Sequence, residues 1–100
     1  PQFIAEPSAK FALQLASVTE LPRLTARLAE IKKQAPALFN GQFIANVESV
    51  TVNGSTFHRL KIGAYQQKQQ AANDCKKLAS VGVACLVSHY VQNPLDLSHQ

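Results

Sequence analysis

Tryptophan is absent, glycine occurs four times and cysteine twice, and the 100-residue chain holds six carboxylates against ten lysines and arginines. No apolar run approaches the roughly 20 residues needed to span a bilayer as a helix. Each absence excludes something. Every glycine sits where a turn or a helix end needs one, so no glycine-rich phosphate loop can be assembled. The acids Glu6, Glu20, Glu30, Glu48, Asp74 and Asp96 form no close pair in sequence. A nucleophile elbow of the Gly-x-Ser-x-Gly kind is missing, as is a recognisable Cys–His signature. The chain therefore reads as a non-enzyme without a cofactor. Cys75 and Cys85 have neither zinc nor thioredoxin spacing. Two buried thiols, or one disulfide closing a short loop, remain equally open on the residues alone; a disulfide would imply an oxidising compartment.

What is present suits one small globular domain. Hydrophobic residues make up 46% and charged residues 16%, too apolar a balance for disorder. The net charge of +4 suggests an anionic or polar partner. Much of it is also what the solvated sides of two helices would carry: Arg23, Arg27, Lys32 and Lys33 on one, Lys68, Lys76 and Lys77 on the other. No signal peptide is visible at the start. Pro1 cannot begin a chain as translated, so a piece of a longer protein is expected.

The most informative stretch is Phe57 to Tyr65. His58, Leu60 and Ile62 alternate with Phe57, Arg59 and Lys61, which describes a strand with one apolar face and one face bearing an aromatic and two cations. Asn53-Gly54 before it is a strong type I′ hairpin signal. A two-residue loop pairs Val50 with Phe57, Glu48 with Arg59 and Asn46 with Lys61 on the outward face. It pairs Val47 with Leu60 and Ala45 with Ile62 on the inward one.

The remaining elements follow in order. Residues 1–9 are a lead-in, residues 10–90 a domain and residues 91–100 a tail. Phe11, Leu13 and Leu15 alternate inward, with Ala12, Gln14 and Ala16 outward. Thr19 is a plausible helix N-cap ahead of Pro22. Leu21, Leu24, Leu28 and Ile31 then form an apolar helix stripe, which Pro36 closes. Leu38 and Phe39 are buried-type side chains in the loop that follows, and residues from Gln42 to Val52 are extended. A second helix from Gln67 to Ala79 turns Ala71, Cys75 and Leu78 inward, and Gly82 ends it. Ala84 to Tyr90 is the last strand. A weak internal repeat matches Gln14 with Lys61, Leu24 with Ala71, Leu28 with Cys75 and Ile31 with Leu78.

The fold class is thus α+β: a βαββαβ, ferredoxin-like (RNP-like) chain whose four-stranded antiparallel sheet carries two helices on one face. The other face displays Gln14, Ala16, Asn46, Glu48, Val50, Phe57, Arg59, Lys61, Leu86, Ser88 and Tyr90. Sugars and bases both stack on aromatics and bond to amide and guanidinium groups. A polymer-binding module, a protein-interaction module and a merely solvated face with a Glu48–Arg59 ion pair all fit. Nucleic acid is disfavoured, because the first strand offers no outward aromatic.

At this point the chain resembles a SPOR domain, a bacterial module named for sporulation-related proteins. The likeness lies in Leu13-Gln14-Leu15-Ala16-Ser17-Val18, in Phe57 to Tyr65, and in Ala71, Cys75, Leu78, Gly82 and Cys85. The resemblance implies a non-catalytic module that binds peptidoglycan glycan strands stripped of stem peptides and targets its parent protein to the division septum. It implies glycan-binding residues Gln14, Ser17, Phe57, Arg59 and Leu86. It further implies a monomer on an anchored or lipoprotein parent in the Gram-negative periplasm, and it favours the disulfide for Cys75 and Cys85.

Overall fold

A computed structural model of the protein describes residues 8–41 and 43–95. The lead-in residues 1–7, Gln42 and the tail residues 96–100 lie outside the described residues. The order is β1 (Phe11–Val18), α1 (Pro22–Gln34), β2 (Ala45–Val52), β3 (Ser55–Tyr65), α2 (Lys68–Ser80) and β4 (Leu86–His89). The strands form one antiparallel sheet in the order β2-β3-β1-β4. The two βα halves therefore interlock, with their first strands side by side at the centre.

The hairpin register is the expected one, from Val52 opposite Ser55 to Ala45 opposite Ile62. Asn53 at φ 51° and Gly54 at φ 83° supply the paired positive dihedrals that a type I′ turn demands.

Apolar residues of β1, β2 and β3 (Leu13, Leu15, Val47, Leu60, Ile62) share one cluster with Leu24, Leu28, Ile31, Ala71 and Leu78 of the helices. Both helices thus cover the same face. Leu21 does not join this stripe: it precedes α1 and is 46% exposed. Ala35, buried just past the helix end, extends the stripe instead. Thr19 is not the cap. α1 begins with Leu21 at the N-cap position and Pro22 inside the first turn, without a side-chain cap. The Glu20 carboxylate instead accepts a bond from Arg23 Nε at 3.1 Å. Leu38, Phe39 and Phe43 fold against the core from the α1–β2 connection, with Phe39 and Phe43 edge to face at 5.1 Å.

α2 ends in a Schellman motif. Gly82 N–H bonds to Ala79 O at 3.0 Å and Val83 N–H to Leu78 O at 3.0 Å, with Val83 and Leu78 both in the core. Gly82 stands at φ 84°, and a Cβ there would come within 2.8 Å of Gln34 Nε2. That amide donates to Val81 O at 3.0 Å, tying the end of α1 to the end of α2. A disulfide joins Cys75 to Cys85 with Cα atoms 5.4 Å apart, inside the usual spacing of bridged cysteines. It pins α2 to the approach of β4, and closing so short a loop stabilises the fold by about 2.5–3 kcal/mol.

Among the described residues, Asp74 is the acid on the helix side that the core takes in. It is buried on the inner face of α2 and accepts a bond from the Tyr65 hydroxyl at 2.6 Å. Burial, then this bond and the charge of Asp74, push the Tyr65 hydroxyl far above its ordinary pKa, so it stays a donor. The helical spacing from Ala71 through Asp74 to Leu78 was the available signal.

Candidate functional site

The face opposite the helices is shaped by a break in β1. Gln14 lies opposite Lys61, but Ala16 lies opposite Leu60 and Ser17 opposite Arg59, so β1 spends one extra residue between Gln14 and Ala16. Strict alternation would display Ala16 and hide Ser17. The bulge reverses this: Ala16 packs against the core, and Ser17 joins the outward row of Arg59 and Glu48. No turn residue marks the site, so periodicity alone could not reveal it.

The five sequence-derived candidates come together on this one face. Gln14 and Leu86 are direct neighbours across β1 and β4. Ser17 pairs with Arg59, and Phe57 stands two residues further along β3, opposite Val50. Ser17 is exposed, Gln14, Phe57 and Arg59 are half-buried, and Leu86 is 65% exposed.

Lys61 and Asn46 are outward by register yet not displayed; they are 0% and 1% exposed. The Lys61 ammonium donates to Ser88 Oγ at 2.7 Å and to the His89 carbonyl at 3.1 Å, and it lies 3.3 Å from Glu48 Oε1. Its three N–H groups thus find three acceptors. To reach β4 it crosses β1, where the buried Ala12 opposite Ser88 is small enough to pass.

The chain beyond β4 adds to this closure. Tyr90 N–H bonds to Lys10 O, extending β4 along β1 at 3.0 Å. The chain then reaches the opposite edge of the sheet. There Val47 N–H bonds to Asn93 O and Leu95 N–H to Ala45 O, both at 2.9 Å. Asn93 also donates from Nδ2 to Val47 O and from its backbone N–H to Asn46 Oδ1, each at 2.9 Å. The first part of the tail is therefore bound to the β2 edge.

Glu48 is the hub of the face. Its Oε1 lies 3.3 Å from Arg59 and from Lys61, and its Oε2 lies 2.5 Å from His89 Nε2. Burial works to raise its pKa, but the His89 bond and the nearby Lys61 charge outweigh burial and hold the carboxyl below its ordinary value. One carboxylate thus bridges β2, β3 and β4. Arg59 reaches it through a single nitrogen, which leaves most of the planar guanidinium fork for other acceptors. His58, on the opposite side of β3, is held by Ser49 Oγ at 2.7 Å, as a core-edge histidine would be.

The comparisons with known proteins agree with this architecture. The chain is similar in fold to the solved peptidoglycan binding domain of the B. subtilis cell wall lytic enzyme CwlC. That likeness has TM-score 0.50 at 15% identity and covers 88% of this chain and 98% of that one. No curated protein matches the chain. The sequence model of the SPOR domain matches residues 7–88. With most of its length covered by that match and the corresponding βαββαβ fold in place, the chain belongs to the SPOR domain family.

Proposed function

We propose that this domain is a non-catalytic peptidoglycan-binding module. It holds glycan strands stripped of their stem peptides on the helix-free face of its sheet, and so directs its parent protein to the division septum. One observation carries the reading: Gln14, Ser17, Phe57, Arg59 and Leu86 converge on that single face. Family membership and the likeness to a peptidoglycan binding domain support it.

The chemistry is that of saccharide recognition. Phe57 offers a ring on which a sugar's C–H face stacks. Arg59, Gln14 and Ser17 supply donors and acceptors for hydroxyl and acetamido groups, and Leu86 adds apolar area at the rim. The disulfide supports an oxidising compartment. Together with the family this favours the cell envelope, which we extend to the Gram-negative periplasm and to a monomer carried by an anchored or lipoprotein parent.

Co-sedimentation with purified sacculi tests the reading. The domain should pellet weakly with intact sacculi and strongly after amidase treatment. Phe57→Ala should weaken the second interaction about tenfold, since a stacking platform contributes on the order of 1–2 kcal/mol. Its melting temperature should hardly change. Absence from both pellets would reject the proposal.

A further inference from the structure

We infer that Glu48 is a built-in competitor for an acidic group on the ligand, and that it sets the affinity and charge selectivity of this face. The inference rests on the glycan-binding reading above and names which part of the ligand the face senses.

Glu48 places a carboxylate between Arg59 and Lys61, at 3.3 Å from each, with His89 on its second oxygen. Three cationic or cation-forming groups from two strands thus converge on one anion. β1, which lies between those strands, brings no charge of its own to this part of the face, only Ala12, Gln14 and Ser17. Lys61 is fully buried and already committed to Ser88 and His89. Arg59 is different. Its side chain is 32% exposed and holds Glu48 through one nitrogen only. It can turn from Glu48 to an incoming carboxylate, which it would grip with two parallel N–H bonds in place of one long contact. Ser17, directly across from Arg59 and exposed, stands where it can donate to the same group.

The ligand chemistry follows from what an amidase does. Hydrolysing the amide that joins a stem peptide to the glycan leaves a carboxylate on the sugar where a neutral amide had been. Stripped strands therefore differ from intact ones by a charge as well as by bulk. A face whose half-buried guanidinium is already neutralised by Glu48 discounts that charge. It binds stripped strands less tightly than the same face without the acid.

The experiment compares two probes: amidase-treated glycan strands, and the same strands with their carboxylates converted to methylamides by carbodiimide coupling. Glu48→Gln keeps the shape of the side chain and removes its charge. It should raise affinity for the carboxylate strands by about tenfold, the lower end of the scale of one regained charge-assisted bond, and leave the methylamide strands within about twofold. The gain should vanish in Glu48→Gln/Arg59→Gln. A misfolded variant would lose binding to both probes and cannot imitate a selective gain. For a readout on the unsubstituted protein, the Glu48 carboxyl carbon is followed by NMR through a pH titration. Its pKa, held down by its partners, should rise when carboxylate strands are bound and stay low with the methylamides. An equal gain for both probes, a loss with the carboxylate strands, or an unmoved Glu48 titration overturns the inference. If neither the protein nor its variants bind either probe, the glycan-binding reading falls with it.

Discussion

The two ends of the sheet's outer face begin from the same alternating sequence and end with opposite characters. At the end near Ala12, the outward residues Asn46 and Lys61 are sealed. Lys61 lies across β1 to Ser88 and His89, and Asn93 to Leu95 dock on the β2 edge. Towards the hairpin, Ser17, Phe57 and Arg59 keep their outward places without such a cover among the described residues. Glu48 stands on the boundary and belongs to both. A strand's alternation decides which face a side chain leaves by. What happens to it there depends on chain that arrives from far away in sequence.

The sharpest way to break this contrast is Lys61→Ala. In the sealed half, the ammonium is desolvated and holds two acceptors and an anion, so its removal should cost about 3 kcal/mol or more. Chemical denaturation measures this directly. A cost under about 1 kcal/mol would show Lys61 to behave as an ordinary surface cation and would erase the distinction between the two ends.

A smaller effect separates the halves by pH. The folded carboxyl of Glu48 titrates below its ordinary value of 4.5. Its ion pairs therefore add stability that is fully present above the unfolded value and is lost as pH falls through the folded one. The stability difference between the wild-type protein and Glu48→Gln should be largest at neutral pH and shrink below about pH 4.5. Melting temperatures across pH 2.5–7 (roughly the carboxylate range) would reveal it. A difference that stays flat over this range would mean that Glu48 is not held by the cluster.

Much of this was readable in the residues, and the failures have physical causes. The hairpin register followed from Asn53-Gly54, and the inner stripes of both helices followed from spacing except at Leu21, because both signals are local. The sealed end was not legible. Lys61 alternates outward as Arg59 does, and nothing near either residue tells that Ser88 and the His89 carbonyl will come to Lys61 and not to Arg59. Ser17 shows the opposite case. The alternation was read only as far as Ala16, the family resemblance made Ser17 a candidate, and the bulge after Gln14 turns it out beside Arg59. The closure of the disulfide was open on spacing alone, since ten residues suit either two thiols or one bridge; only the packing of α2 against the start of β4 brings the Cα atoms to 5.4 Å.

The central claim is that the glycan lies on the helix-free face along Phe57, Arg59 and Ser17 and on to Gln14 and Leu86, beside the sealed Lys61 and Asn46. The most direct test is a titration of the isotopically labelled domain with amidase-treated glycan strands, followed by amide and side-chain NMR. The largest shifts should fall on the Gln14 side-chain amide, Ser17, Phe57, the Arg59 guanidinium and Leu86. Shifts concentrated on α1 and α2, or on Asn93 to Leu95 at the β2 edge, would contradict it.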